Sequence, residues 1–129
     1  MSDNVNALTR EIIGAAIEVH RHLGPGLLES TYRKCLGHEL LLRGIPCKQE
    51  YPLALTYKGI CLESSYRLDL LVDDAVVVEA KSVEALAMIH EAQLITYLRL
   101  GGWKIGLLIN FNVDVLKNGI RRKVLGLAE

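Results

Sequence analysis

Three charged residues fall where two apolar runs would meet: Asp69 in the first, Glu79 and Lys81 in the second, with only the short Asp73-Asp74 turn between the runs. Neighbouring antiparallel strands would bring them together. Side chains two apart on a strand share a face, so Glu79 and Lys81 project together and Ala80 points away. Mg²⁺ takes oxygen ligands, commonly one or two carboxylates completed by water and substrate phosphate. Asp69, Glu79 and the Ala80 carbonyl could supply the protein's share, with Mn²⁺ as the alternative ion. Such an ion would polarise a phosphate and lower the pKa of a bound water. Lys81 would then orient that water or stabilise charge developing on the phosphoryl oxygens. A Glu-x-Lys pair alone is also what an amphipathic surface strand carries. The context differs here: Val76-Val77-Val78 ahead and Val83 behind describe a buried strand, where converging charges need a partner.

Other polar groups fall at helical spacing. Glu29 and Tyr32 lie three apart near the start of a helical pattern and share a face. Both could look into a site; the alternatives are a dipole-favoured acid in a first turn for Glu29 and core packing for Tyr32. His90, Gln93 and Tyr97 form a polar stripe beside Leu86, Ile89 and Leu94. The stripe is either a solvated face or a place where Gln93, with Tyr97 beside it, bonds the site or a phosphate. Arg121 and Arg122, followed by Lys123, could touch a nucleic-acid backbone, or form a solvated edge that discourages strand pairing. His20 and His22 cannot share a helix face, have no cysteine nearby, and are expected at the surface.

The elements that must position these groups follow from periodicity. Val5, Leu8, Ile12, Ala16, Val19 and Leu23 make one helical face, and Gly24-Pro25-Gly26 ends it. Leu28, Tyr32, Leu36 and Leu40 make a second, ended by Gly44-Ile45-Pro46. Residues 51–56, 60–72 and 75–79 read as an antiparallel meander. A helix over about 83–100, closed by Gly101-Gly102, then leads to a buried strand over 103–111, which implies a right-handed parallel crossover. Asn118-Gly119, between residues 113–116 and 121–125, suggests a small terminal hairpin. The expected architecture is an α/β (α+β) fold: an extra N-terminal helix, then a helix, a three-stranded meander, a crossover helix and a parallel strand.

At 129 residues, half of them apolar and about a quarter charged, the chain is expected to form one domain over 1–129. Cys35, Cys47 and Cys61 include no CxxC pair, so no disulfide framework or zinc site is indicated. The first residues lack the character of a signal peptide, and no apolar run could span a bilayer. A soluble, cytoplasmic protein without a membrane partner is expected. The formal net charge is zero, so any polyanion must be held by a local patch.

The stretch Gly26-Leu27-Leu28-Glu29-Ser30-Thr31-Tyr32 resembles the motif of the GxxExxY family. Residues 66–72, Val78-Glu79-Ala80-Lys81, 90–94 and 106–111 are similar to that family's other blocks, in the same order, from about Leu8 to Leu125. The resemblance implies the PD-(D/E)xK nuclease superfamily with its restriction-endonuclease-like core. It also implies roles: Glu29 as the acid on the helix before the sheet, Asp69 as a metal ligand, Glu79 and Lys81 as the E-x-K pair, and Gln93 as the polar residue on the following helix. Leu68 stands where the superfamily's name has proline, a position that carries no metal ligand. The leading expectation is therefore a metal-dependent nuclease acting on DNA or RNA. An inactive nucleic-acid-binding or protein-interaction module is the alternative, and a third reading is a homodimer whose pairing completes the substrate groove.

Overall fold

A computed structural model describes residues 2–126, without the side chains of 2, 3 and 63–65. Met1 and 127–129, the ends of the expected domain, lie outside the described residues. In chain order the elements are α1 (Ser2–Leu23), α2 (Glu29–Leu42), β1 (Cys47–Tyr57), β2 (Ile60–Val72), β3 (Val76–Lys81), α3 (Met88–Gly101), β4 (Ile105–Asn110), a 3-10 turn (Leu116–Gly119) and β5 (Ile120–Val124). Among the described residues, no helix is long and apolar enough to cross a membrane.

The strands form one sheet in the order β1-β2-β3-β4-β5, with β3 and β4 parallel and the other pairs antiparallel. This is the expected meander, crossover helix and parallel strand. The side chains of β4 and most of β3 are buried, which explains why both read as continuous apolar runs. Val76, Val78, Ala80, Ile105, Leu107 and Ile109 pack with α1 and α2 residues such as Ile12, Ala16, Leu36 and Leu40. Val77 and Leu108 pack on the other side with Leu94, Tyr97 and Leu98 of α3. The tight turns are chemically legible. Lys58 and Gly59, at φ 45° and 91°, make the two-residue link between β1 and β2.

An irregularity in β1 and β2 falls beside the charged residues. Leu68 and Leu70 lie two apart yet pack on opposite faces, Leu68 with α3 and Leu70 with α1 and α2. Cys47 and Tyr51, four apart on β1, divide the same way. Strict alternation would put each pair on one face, so both strands change faces between these residues. Glu50, with φ 50°, lies at the change on β1, and Asp69 is opposite it.

Three expectations need correction. Residues 113–116 are not a strand and Asn118-Gly119 is not a hairpin turn: β5 instead pairs with β4 and covers its edge. The chain turns against the end of β4, so closely that a Cβ on Gly119 would lie 2.2 Å from the Asn110 carbonyl oxygen. The crossover helix begins at Met88 rather than near Val83, because the Asn110 side chain takes both the N–H and the C=O of Val83. His20 is buried, not at the surface, with its Nε2 2.7 Å from the Val113 carbonyl oxygen.

Candidate active site

The β2–β3 ladder runs from Val72↔Val76 to Leu70↔Val78 and stops there. At the next position two carboxylates take over the pairing. The Asp69 N–H donates to a Glu79 carboxylate oxygen at 3.0 Å, and the Ala80 N–H donates to an Asp69 carboxylate oxygen at 2.8 Å. Each acid is thus fixed by the backbone of the other's strand, with its second oxygen outside these two bonds. Glu79 shares the α3-facing side of β3 with Val77, and Lys81 follows on that side. Ala80 turns its methyl toward α1 and α2.

The electrostatics are those of a buried acid pair that its neighbours compensate only in part. Burial, and next the Asp69 charge, push the Glu79 carboxyl up to about 8. Burial also raises Asp69, against the Ala80 N–H and the charges of Lys81 and Arg33. Lys81 lowers both acids, and Glu29 raises both.

Helix α2 closes one side. The Glu29 carboxylate accepts the Ser82 N–H at 3.2 Å, and the Ser82 hydroxyl donates to the Leu27 carbonyl at 2.7 Å. Glu29 therefore ties its helix to the residue just after Lys81. A cavity of about 590 Å³ opens beside this contact, lined by Gly26, Leu27, Leu28, Thr31, Ser82 and Asn112. One turn along α2, Arg33 donates to Glu50 at 3.2 Å, and its buried Nε has no partner among the described residues. Sequence reasoning missed Arg33, although its spacing of four from Glu29 was a usable signal.

Helix α3 closes the other side with Tyr97, 8% exposed, whose phenol is pushed up by burial and then by the charges of Glu79, Tyr66 and Asp69. Gln93 stands exposed one turn earlier on α3. His90 caps the helix instead, its Nδ1 accepting the Ala87 N–H at 2.9 Å.

Three expected substrate contacts are not brought to the carboxylates. Tyr32 is fully buried, stacks on Phe111 with centroids 4.5 Å apart, donates to the Gly24 carbonyl at 2.5 Å and accepts the Leu27 N–H at 3.1 Å. Its whole side chain is committed to holding the loop before Glu29. Arg121 and Arg122 lie on β5, two strands and roughly 10 Å from β3. Arg121 lies 3.8 Å from Glu91 and Arg122 donates to Asn6 at 2.9 Å.

Asn110, also missed, is 2% exposed and fixes the exit of β3. Its Oδ1 accepts the N–H groups of Val83 and Asn112, and its Nδ2 donates to the Val83 carbonyl. The Phe111 N–H donates to the Lys81 carbonyl at 2.9 Å. A polar residue ending an otherwise apolar strand was the available hint.

Among the described residues, no group of three or more His, Cys, Asp and Glu side chains is gathered as for an all-protein metal cage. Two carboxylates nevertheless suit Mg²⁺, which keeps several waters and uses few protein ligands. The mutual repulsion of the buried pair is what a divalent cation would relieve. In sequence, the model for the PD-(D/E)XK nuclease superfamily matches residues 6–123. No curated protein and no solved structure gives a match.

Proposed function

Given that the chain belongs to the PD-(D/E)XK nuclease superfamily, we propose that it hydrolyses phosphodiester bonds of nucleic acid with a divalent cation held by Asp69 and Glu79. The observation that carries this reading is the reciprocal bonding of those two carboxylates with Lys81 on the same face. We also place it in the GxxExxY group on Gly26, Glu29 and Tyr32.

Nucleases of this superfamily generally use divalent metal ions, and Mg²⁺ fits an oxygen donor set of two carboxylates and the Ala80 carbonyl. The bound cation supplies positive charge that polarises the phosphate and acidifies the attacking water. Asp69 and Glu79 are held by backbone N–H groups and need little reorganisation to act as ligands. The Lys81 ammonium orients the attacking water and offsets charge gathering on the phosphoryl oxygens. Attack of the water oxygen at phosphorus forms one P–O bond and breaks the bond to the leaving oxygen; the water gives its proton to solvent, and the leaving oxygen takes one from solvent. Glu29, through Ser82, holds the exit of β3 in place. Gln93 and Tyr97 are poised on α3 to bond or flank the substrate.

The test is cleavage of single-stranded and duplex DNA and RNA in Mg²⁺ or Mn²⁺, with a chelator control and Lys81→Met. The expected result is metal-dependent cleavage that falls at least 100-fold in the variant, of the order removed with one transition-state donor. Cleavage equal in Lys81→Met and wild type overturns the proposal.

A further inference from the structure

Beyond Asp69, β2 has no partner in β3, since their ladder covers only Leu70–Val72. The strand continues past the carboxylates, and Tyr66 and Arg67 are exposed along it. Tyr66 lies on the α3 face. Its ring centroid is 6.3 Å from that of Tyr97 at an interplanar angle of 58°, and its β1 partner Leu53 packs in the α3-facing cluster. Tyr97 is 8% exposed and is buried with Leu68, which precedes Asp69, and with Val77, two residues before Glu79. Tyr66 is 44% exposed. A rigid, buried aromatic therefore backs an open one, three residues along the strand from a proposed metal ligand.

An exposed ring on this edge is not needed to fill the core. What it offers is a π-face of the size and polarity of a nucleobase, and every base has a matching face. The chain is formally neutral, so phosphate attraction over the whole molecule is weak and affinity must come from elsewhere.

We infer that Tyr66, supported by Tyr97, is a stacking platform for a nucleobase next to the scissile phosphate, so that the site takes a strand with unstacked bases, a single strand or an unpaired end, in preference to intact duplex. This rests on the nuclease reading for the position of the phosphate. Inside a duplex both faces of a base are already covered by its neighbours, so the platform gains nothing until a base is freed. Tyr66 is a specificity-determining residue and not one that touches the reacting atoms.

The experiment measures binding by wild type, Tyr66→Ala and Tyr66→Phe in Ca²⁺, using an oligothymidylate, the same oligomer with abasic sites, and a blunt duplex. Cleavage of the oligothymidylate is followed separately in Mg²⁺ and Mn²⁺. Loss of one stacked base lowers affinity by roughly 10-fold to 100-fold. The expected result is that loss in Tyr66→Ala and none in Tyr66→Phe, with the abasic oligomer bound equally by wild type and Tyr66→Ala. Equal binding of the oligothymidylate by wild type and Tyr66→Ala overturns the platform, as does duplex bound as tightly as single strand. If wild type cleaves and Tyr66→Ala keeps its KM, the platform falls and the nuclease reading stands. If Tyr66→Ala loses base-dependent binding but wild type cleaves nothing, base stacking on Tyr66 stands, while its place beside a scissile phosphate falls with the nuclease reading.

Discussion

Asp69 and Glu79 lock one another in place: the N–H of Asp69 donates to the Glu79 carboxylate at 3.0 Å, while the Asp69 carboxylate accepts the N–H of the residue after Glu79 at 2.8 Å. The sheet thus gives up a rung of its ladder and fills the gap with two acids. Holding like charges together under burial is unfavourable, and that cost makes the site responsive to substitution, pH and cations.

Removing Asp69 should separate structural from chemical loss. Asp69→Ala leaves the Ala80 N–H without its acceptor, whereas Asp69→Asn keeps an oxygen there. An unsatisfied buried donor costs about 1–3 kcal/mol. Urea unfolding of the metal-free proteins should therefore find Asp69→Asn more stable than Asp69→Ala by about that amount, with both inactive. Equal stability would mean that the Asp69–Ala80 bond contributes nothing net.

The raised Glu79 carboxyl gives the metal-free protein a pH dependence of definite sign. Below about 4.5 both folded and unfolded states carry the proton; up to about 8 the folded state retains it while the unfolded state has lost it. The folded state binds more protons in that window, so stability falls as pH rises through it, by a few kcal/mol at most. Glu79→Gln should flatten this slope, read from unfolding midpoints between pH 5 and 9. A slope unchanged in Glu79→Gln would place its origin in other groups.

Tyr32 should matter for stability without touching substrate. Tyr32→Phe keeps the Phe111 stack but strands the Leu27 N–H and the Gly24 carbonyl. The expected cost is about 1–3 kcal/mol, together with faster hydrogen exchange at the Leu27 amide. Unaltered exchange there would show that the loop is held by something else.

Much of this arrangement could be read from residue order. The Asp69, Glu79 and Lys81 spacing, the central Val76-Val77-Val78 run and the crossover to the Ile105–Asn110 strand are local patterns, and periodicity reports local patterns directly. What escaped depends on contacts between distant segments. Asn110 delays α3 by holding Val83, 27 residues away. His20 is buried because its ring meets the Val113 carbonyl, 93 residues away. Asn118-Gly119 has the composition of a hairpin turn, yet the open edge of β4 attracts the following strand and the turn becomes 3-10. The spacing of three from Glu29 makes Tyr32 either a site residue or a core residue, and its stack on Phe111 and its hydroxyl bonds to the loop backbone make it the second. Arg33 needed the fold to reveal that one turn after Glu29 lies beside Glu50.

Whether the buried Asp69–Glu79 pair is a divalent-cation site can be decided by calorimetric titration of Mg²⁺ and Mn²⁺ into wild type, Asp69→Asn and Glu79→Gln. The expected outcome is saturable binding to wild type that strengthens from pH 6 to 8 with release of protons, and loss of that binding in both variants. Binding undiminished in both variants, or none in the wild-type protein, would rule the site out.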